Sequence, residues 1–587
     1  MAGRRPWESC DNNLAKLWSG HQLAWPVANA QSAIHLEGSK LQLLEANTSS
    51  GASACGCSAA PLFGLRVCFC KLSLSPSLSG QPATQDSAMA ISSSILFCYL
   101  LFSLISNVAS SFMYSDDRRD VLFPQILKEE AVTRLDELGK VSDANGYLQR
   151  TFMSPASVRA GNLIRQWMED AGLRTWVDHL GNVHGRVEGL NASAQALLIG
   201  SHLDTVVDAG IFDGSLGIIT AISALKVLKS TGKLGKLKRP VEGASCGALL
   251  IPGCRTLQVI AFSDEEGVRF QSTFLGSAAL AGILPVSALR VSDKSGVTVL
   301  DALRENSIDI AEESLLQLKY DPASVWGYIE VHIEQGPVLE WVGFPLGVVQ
   351  GIAGQTRLKV YKVTLRGSQG HAGTVPMSMR QDPMTAAAEL IVLLERLCKH
   401  PKDFLSYDGR SNGSTLESLS SSLVCTVGEI SSWPSASNVI PGEARNLSLD
   451  DVTFTVDLRA IDDAGRETVL YELSNQLYQI CEKRSVSCIV ERKHDANAVM
   501  CDADLSSQLK SASYAALKRM TGATQHEIPV IMSGAGHDAM AMSHLTKVGM
   551  LFVRCRGGIS HSPAEHVLDD DVWAAGLAVL AFLETHV

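Results

Sequence analysis

The chain has 587 residues, of which 46% are hydrophobic and 19% are charged, and its formal net charge is −11. This length allows two or more domains, and the composition is ordinary for a soluble globular protein. The acidic balance and the lack of a basic run exclude the electrostatic signature of a protein that binds nucleic acid or an anionic membrane.

The first part of the chain differs from the rest. Residues 1–88 mix Ser, Gly, Ala and Cys without a sustained hydrophobic period, which predicts no packed core. The next segment, 89–111, starts at Met89 and holds the apolar run ILFCYLLFSLISNVA, which is typical of a secretory signal peptide. We interpret Met89 as the true start, residues 1–88 as a non-native or disordered extension, and the endoplasmic reticulum and secretory pathway as the destination. The alternative is a genuine extension with an internal anchor.

The 14 cysteines show neither metal-binding nor disulfide spacing. Six lie before residue 100, and the remaining eight are scattered without a CxxC pair. Such a distribution favours buried free thiols over functional ones.

Helices and apolar strands alternate from about Arg134 to Val349. The predicted elements are a helix at 157–171, strands at 183–187 and 195–201, a helix at 217–230, and strands at 257–263 and 326–333. Helices between nearly continuous apolar strands predict a mostly parallel sheet that is covered on both faces. Functional groups then belong at the carboxyl ends of the strands.

From about Gly351 the pattern changes. A strand at 357–365, a helix at 382–398, strands at 423–429 and 452–457, a helix at 465–483 and a strand at 486–491 follow one another. This β-α-β-β-α-β order predicts a ferredoxin-like unit. The first pattern then resumes with a helix at 506–520, a strand at 548–554 and a helix at 572–585.

The sequence therefore predicts an α/β fold with one domain inserted into another. The catalytic domain has a mixed, mostly parallel sheet and is discontinuous, with its two parts at 112–349 and 498–587. The inserted α+β domain, 350–497, is predicted to act as a lid.

Histidines and carboxylates follow the predicted strands. His202 and Asp204 come at the end of one buried strand, and Glu265 and Glu266 come after the next. Since residues two apart at a strand end can point the same way, Asp204 can accept the second ring N–H of His202 and fix its tautomer. Two adjacent acids after an apolar strand are costly unless they are used.

These residues form a predicted site for two metal ions. Asp213, in the loop sequence FDG, can bridge two ions, and His332 and His561 supply one further ligand for each. One of the paired glutamates can bind metal while the other takes a proton from a water. No cysteine joins the set, which favours Zn²⁺ or Mn²⁺ over a soft-metal site. Each signal alone has an ordinary structural explanation, but together and in this order they predict a two-metal hydrolase.

The surrounding motifs resemble those of the M20 metallopeptidase-like amidohydrolases. They are GSHLDTV, FDGSLG, SDEEGVRF, HIEQGPVLE, GSQGHAGTVPM, SGAGHDA and ISHSPAEH. The resemblance runs from about Phe112 to the C-terminus and is to the carbamoyl-hydrolysing branch. The stretches QGIAGQTRLKV, WPSASNVIPG and MLFVRCRGGISHSPAEHVLDDDV most resemble the plant allantoate deiminases.

The resemblance implies a role for each metal ligand. His202 and His332 would hold one ion, Glu266 and His561 the other, and Asp213 would bridge them. The cofactors would be two divalent ions per subunit, Mn²⁺ or alternatively Zn²⁺.

It also implies catalytic roles close to the ions. Glu265 would be the general base, with Asp204 beside it. The peptide bond between Asp213 and Gly214 is expected to be cis, a costly arrangement for a non-proline bond.

The remaining implied contacts are to the substrate. His371 would reach the site of the partner subunit in a homodimer and stabilise an oxyanion. Gln355 and Asn438 would bond the ureido group, and Arg459 would bind the substrate carboxylate in bidentate fashion. Ser533 is a further candidate for substrate contact. Taken singly, His371 and Arg459 would be assigned to the solvent-facing surface.

The implied activity is the hydrolysis of a small-molecule ureide. Allantoate would give ureidoglycine, ammonia and carbon dioxide in purine catabolism, with closure of the lid excluding water. The alternatives are a ureidoglycolate amidohydrolase, an N-carbamoyl-L-amino-acid hydrolase and, from another class, a non-catalytic binding homologue. We expect no nucleic-acid partner and no stable membrane insertion after removal of the signal.

Three stretches depart from the family pattern. They are 243–258, the region around 361–362, and 443–451. All lie in or beside predicted strands, where an odd-length addition reverses every following side chain unless a bulge absorbs it. We interpret them as retained intron fragments. If they belong to the protein, the first is expected to disturb the strand that presents Glu265 and Glu266, and the third to misplace Arg459.

Overall fold

Two large β-sheets, of nine and five strands, organise the described part of the chain. The computed structural model describes residues 122–189, 194–236, 255–360, 363–364, 369–405, 419–441, 452–522 and 527–586. The strands are β1 (Arg174–Val177), β2 (Val183–Val187), β3 (Ala196–His202), β4 (Leu257–Phe262), β5 (Val325–Ile333), β6 (Leu346–Ile352), β7 (Gly354–Val360), β8 (Val363–Thr364), β9 (Gly370–His371), β10 (Val424–Thr426), β11 (Ile430–Ser432), β12 (Val439–Ile440), β13 (Val452–Ala460), β14 (Ser487–Cys488), β15 (Glu491–Ala496), β16 (Val499–Met500), β17 (Val530–Ser533) and β18 (Val548–Val553).

The helices cover the sheets. They are α1 (Ala131–Gly139), α2 (Pro155–Asp170), α3 (Ser215–Ser230), α4 (Lys233–Lys236), α5 (Leu275–Ala281), α6 (Val299–Glu305), α7 (Glu312–Gln317), α8 (Val338–Val342), α9 (Pro383–Lys399), α10 (Pro401–Phe404), α11 (Asp463–Lys483), α12 (Ala503–Thr521), α13 (Asp538–Met542) and α14 (Asp569–Glu584). A π-helical segment, Gln125–Glu130, precedes α1. Within the described ranges, no helix is long and apolar enough to cross a membrane.

The larger sheet has the strand order β1-β2-β4-β3-β5-β18-β6-β16, and β17 pairs with β6. Its central strands β4, β3, β5 and β18 run parallel to one another. The strands at its flanks, such as β1 and β16, pair antiparallel with their neighbours. The predicted α/β class with a mixed sheet is confirmed.

Strand β3 shows why the central strands read as apolar runs. All its residues are buried. Leu197 and Ile199 belong to one apolar core, with residues of α1, α2, α3, α12 and α14, whereas Ala196 and Leu198 belong to the opposite core, with residues of α5, α6 and α13. Because successive side chains point to opposite faces, both faces of the sheet are covered, and polar groups collect at the strand ends.

The smaller sheet has the order β10-β13-β7-β15, with β11 also beside β13, and all its pairs are antiparallel. Helix α9 lies between β7 and β10 in the chain, and α11 between β13 and β15, which is the expected β-α-β-β-α-β order. Both helices and β13 contribute to a separate apolar core. The role of this unit as a lid or dimerisation surface stays a prediction.

Two element predictions are corrected in this unit. The single strand predicted at 357–365 is divided into β7, which begins at Gly354, and the two-residue β8. The strand predicted at 486–491 shrinks to β14, and the longer β15 starts only at Glu491. The short strand β8 pairs with β14 in a two-stranded sheet of their own. Apolar periodicity does not show which sheet a segment joins, so it did not separate these elements.

The expectation of free thiols is also wrong for four cysteines. Cys398, near the end of α9, is bonded to Cys425 on β10, and Cys481, near the end of α11, to Cys488 on β14. Packing of each helix end against the neighbouring strand brings the paired Cα atoms to 6.2 Å, which is within the range that a disulfide requires.

Several predictions fall outside the described residues: those for 1–88, 89–111, 243–254, 361–362 and 443–451. The end of the first added stretch, Arg255–Gln258, does lie within them and leads into β4. That strand pairs with β3 from Leu257 to Phe262 without a register shift. The expected disturbance of β4 is therefore not found.

Candidate active site

The predicted metal ligands meet at one edge of the larger sheet. His202 is the last residue of β3, and His332 is the last residue but one of β5. Glu265 and Glu266 follow β4, and the loop with His561 follows β18. Because these four strands are parallel and adjacent, their carboxyl ends lie side by side.

The first ligand group comprises His202, Asp213 and His332. The Nε2 atoms of the two histidines are 3.3 Å apart. The Oδ1 atom of Asp213 lies 3.0 Å from Nε2 of His332 and 3.4 Å from Nε2 of His202. All three side chains are buried.

The hydrogen bonds of these rings show that the group suits a cation. Nδ1 of His202 lies 3.1 Å from the backbone carbonyl oxygen of Asp204, and Nδ1 of His332 lies 2.9 Å from that of Ile333. A carbonyl oxygen only accepts, so each Nδ1 carries a proton, and the neutral form of each ring presents a lone pair at Nε2. Two lone pairs and a carboxylate oxygen then converge on one point, an arrangement that a divalent ion stabilises.

The second group comprises Asp213, Glu266 and His561. Nε2 of His561 lies 3.3 Å from Oδ2 of Asp213 and 3.5 Å from Oε1 of Glu266. Asp213 thus places one carboxylate oxygen in each group. These donors are nitrogen and oxygen atoms only, so the residues fit a pair of divalent ions of the Zn²⁺ or Mn²⁺ type.

Asp204 orients the paired glutamates. Its Oδ1 accepts the backbone N–H of Glu265 at 3.0 Å, and its Oδ2 accepts that of Glu266 at 3.2 Å. Its carboxylate lies 3.6 Å from Nδ1 of His202, further than its own backbone carbonyl does. The backbone carbonyl of Asp204 therefore makes the main contact with His202, and the side chain of Asp204 bonds the two glutamates.

Glu265 and Glu266 differ in their surroundings. Burial raises the pKa of Glu265 well above its ordinary value, and the neighbouring Glu266 adds to the shift. Burial and the carboxylate of Asp213 raise the pKa of Glu266 to about 7. Both acids therefore hold protons more tightly than exposed glutamates when no cation is present.

The turn after Asp213 departs from expectation. The only cis peptide bond among the described residues joins Trp433 and Pro434, so the cis bond expected at Asp213–Gly214 is wrong. Gly214 makes the turn with φ of 64°, a left-handed conformation that suits glycine. A Cβ atom there would lie 2.4 Å from the carbonyl oxygen of His202, so glycine also allows the close approach.

Two side chains that the sequence reasoning missed hold Asp213 in place. Gln335 donates from Nε2 to Oδ2 of Asp213 at 2.8 Å, and Oε1 of Glu565 accepts the backbone N–H groups of Phe212 and Asp213. Both residues belong to motifs that were recognised for their histidines, HIEQGP and ISHSPAEH. Their polarity in loops next to those histidines was the available signal.

A third buried group lies behind the first. It comprises Glu330, His332 and His537. The rings of His332 and His537 meet edge to face, with centroids 4.4 Å apart. Ser533 bonds His537 at 2.8 Å through its hydroxyl, which also donates to the carbonyl of Ala535. These bonds tie Ser533 to its own loop and to His537, and its contact with the substrate stays a prediction.

Two of the predicted substrate residues lie where the two sheets meet. Arg459, on β13, lines a cavity of about 860 Å³ together with Glu334, Gln335 and the loop at Gly534. Its guanidinium bonds both carboxylate oxygens of Asp457, at 3.1 and 3.0 Å, and the carbonyl of Gly534 at 2.8 Å. Gln355 is buried beside Gly536, and its Oε1 has no hydrogen-bond partner within the described ranges.

The other two lie together in a different place. His371 is on β9, which pairs with β12, and the carbonyl of Asn438 accepts the N–H of Ala372. Both side chains are exposed. In the part of the chain that the structure covers, neither bonds the metal ligands.

The sequence pattern of the peptidase family M20/M25/M40 matches residues 248–585, more than half of the chain. The chain belongs to this family. The pattern of peptidase family M28 also matches residues 182–301.

Individual relatives give a more specific similarity than the family pattern does. The chain is 71% identical to allantoate deiminase 2 of Glycine max over 83% of this chain and 96% of the relative. It is 73% identical to allantoate deiminase of Arabidopsis thaliana over 79% of this chain and 83% of the relative. The solved structure of AtUAH in complex with (S)-hydroxyglycine is 30% identical, with a TM-score of 0.59 over 78% of this chain and 96% of that one. This M20/M25/M40 member is a hydrolase that acts on C–N bonds.

Without metal, we expect this M20/M25/M40 protein to be more stable at pH 5 than at pH 7.5. The pKa of Glu266 is about 7 in the folded chain and about 4.5 without the fold. Between pH 4.5 and pH 7 the folded state therefore binds more protons than the unfolded state. The stabilising contribution of Glu266 to the free energy of unfolding is lost as the pH rises through 7. Urea unfolding of chelator-treated protein at both pH values measures this. Added Mn²⁺ should reverse the order, since a cation favours the ionised carboxylate. Equal stability at both pH values without metal would contradict the expectation.

Proposed function

We propose that the chain is a binuclear-metal amidohydrolase that converts allantoate into ureidoglycine, ammonia and carbon dioxide. The observation that carries this proposal is the carboxylate of Asp213, which offers one oxygen to each of two ligand groups. The high identity to two allantoate deiminases supports allantoate as the substrate.

The five ligands divide between two ions. His202 and His332 would hold one, Glu266 and His561 the other, and Asp213 both. Mn²⁺ is the proposed ion and Zn²⁺ the alternative. When bound, such ions polarise a carbonyl oxygen and lower the pKa of a water.

Glu265 acts as the general base. It takes a proton from the attacking water and returns it to the leaving nitrogen. Its burial supports this role, because a raised pKa lets a carboxylate hold the proton between the two steps. The bond from its backbone N–H to Asp204 fixes the chain from which the side chain projects.

Arg459 binds the substrate carboxylate at the wall of the 860 Å³ cavity. In the structure Asp457 already occupies two N–H groups of its guanidinium, so the incoming carboxylate replaces Asp457 or shares the arginine with it. Gln355, whose buried Oε1 lacks a partner in the described ranges, is suited to accept an N–H of the ureido group.

His371 and Asn438 complete the site from a second subunit. Both side chains are exposed, and within the described ranges neither bonds a metal ligand, which supports a role that requires a homodimer. His371 would then stabilise the oxyanion and Asn438 would bond the ureido group. The unit formed by the smaller sheet would close over the substrate as a lid.

We place the protein in the secretory pathway, entered at the endoplasmic reticulum. Residues 89–111 resemble a signal peptide. The disulfides Cys398–Cys425 and Cys481–Cys488 support this location, because structural disulfides persist in oxidising compartments.

Purified protein with Mn²⁺ is expected to release one ammonia and one carbon dioxide from each allantoate. Metal-stripped protein is the matched control and should be inactive until Mn²⁺ or Zn²⁺ is restored. Comparison of chains that start at Phe112, with and without the three added stretches, tests whether those stretches affect the activity. Activity on ureidoglycolate or an N-carbamoyl-L-amino acid, but not on allantoate, would reject the proposed substrate.

A further inference from the structure

A second cavity opens at the opposite edge of the larger sheet. Its volume is about 510 Å³, and its walls come from Arg255 and Lys547, which precede β4 and β18, from Trp326 near the start of β5, and from α12 and the end of α14. Trp326 lies six residues before His332 on β5. At a rise of roughly 3.3 Å per residue, this cavity is about 20 Å from the metal ligands.

Two cations stack on one aromatic ring in this cavity. The guanidinium of Arg255 lies 4.1 Å from the centre of the Trp326 ring, and Nζ of Lys547 lies 4.2 Å from it. Lys547 also lies 3.9 Å from Asp502. Within the described ranges, half-buried Arg255 has no carboxylate partner.

Arg255 and Lys547 also affect a third basic group, His586. The pKa of His586 is lowered by burial and further by the charges of Arg255 and Lys547. Its ring lies 5.0 Å from Trp326. Asp504, on the first turn of α12, is the acid among the lining residues.

Polar groups of α12 face the same space. Gln508 lines the cavity, and its Oε1 is buried without a hydrogen-bond partner in the part of the chain described. Ser507 and Ser511 lie on the same face of the helix. A buried acceptor without a partner is costly, and a ligand that carries an O–H or N–H group would relieve that cost.

We propose that this cavity binds a small oxyanion, a phosphate or a hydroxy-carboxylate. Arg255 and Lys547 supply charge-assisted hydrogen bonds to the anionic oxygens, and Gln508 accepts from the hydroxyl. The site is separate from the metal centre and does not depend on the function proposed for it. Trp326, whose ring centre lies within 4.2 Å of both cations, reports on occupancy because its fluorescence responds to nearby charges.

Titration of the metal-loaded protein with inorganic phosphate, and separately with L-malate, tests the proposal at constant ionic strength. Tryptophan fluorescence and calorimetry should show saturable binding of at least one anion. Arg255→Gln is expected to raise the dissociation constant at least about tenfold, and Lys547→Gln to raise it less because Asp502 already shares that lysine. Arg255→Gln combined with Lys547→Gln should abolish binding at this cavity.

Arg519→Gln is the matched control. Arg519 also stacks on an aromatic ring, that of Phe123, at 4.1 Å, but it lies outside this cavity. This variant should bind like the original protein. Saturable binding of phosphate alone or of malate alone would support the proposal and identify the anion. Absence of saturable binding, or equal binding by the double variant and by Arg519→Gln, would overturn it.

Discussion

Replacement of Glu265 by Gln is expected to lower kcat by about 10²–10⁴ while the metal content stays unchanged. The amide keeps the size of the side chain and leaves the backbone bond to Asp204 in place, but it cannot take a proton from the attacking water. Turnover of allantoate and metal analysis of the same sample measure both effects. The KM for allantoate should change little, because Glu265 is not among the residues proposed to bind it.

Two further variants separate the base from its surroundings. Glu266→Gln should lose activity together with metal, since Glu266 belongs to the second ligand group. Asp571→Asn removes a buried carboxylate that pairs with Arg554 and bonds no metal ligand within the described ranges, so it should reduce stability without a matching loss of kcat in the folded protein. An active Glu265→Gln enzyme, or one that loses metal in proportion to its activity, would contradict the role of Glu265 as base.

Sequence reasoning located the metal ligands because of one rule about sheets. His202, Glu266 and His332 lie far apart in the chain, but each follows or ends an apolar strand that the pattern predicts as parallel. Parallel neighbours bring their carboxyl ends together, so strand prediction alone predicts their proximity. No comparable rule covers loops, and His561 and Asp213 were placed through their motifs.

Other features depend on contacts that no local pattern records. The bond from Glu565 to the backbone at Asp213 joins residues 352 positions apart. The disulfide Cys398–Cys425 depends on how the end of α9 packs on β10, and a spacing of 27 residues gives no motif. The turn at Gly214 has a positive φ and a trans peptide bond. A glycine in the sequence fits either a positive φ or a cis bond, so the pattern alone did not decide between them.

Two residues that contact Asp213 have an unusual backbone conformation. Gln335 and His561 both adopt positive φ, 55° in each case, although neither is glycine. Such conformations cost of order 1–3 kcal/mol and persist where the surrounding structure imposes them. Here both side chains meet the same carboxylate, that of Asp213, so the strained backbone of two loops serves one bridging group.

Replacement of Asp213 by Asn is expected to remove more activity than any single change at the substrate residues. Asn keeps the shape of the side chain but removes the charge that both ligand groups share, so both ions should bind more weakly. We expect kcat/KM to fall by at least about 10³, since the acidification of water that divalent ions supply is lost with them. Metal content per chain and titration of the stripped protein with Mn²⁺ measure the cause directly.

Ser560→Ala is the matched control for this change. Ser560 donates to Oδ2 of Asp213 at 3.1 Å and belongs to neither ligand group. Its loss should cost roughly tenfold in metal affinity, as for other groups that orient a ligand. Excess Mn²⁺ should restore Ser560→Ala but not Asp213→Asn, because only the second variant lacks a charge between the ions. If Asp213→Asn kept full metal content and activity, the two groups would not share a bridging carboxylate, and the binuclear centre would have to be abandoned.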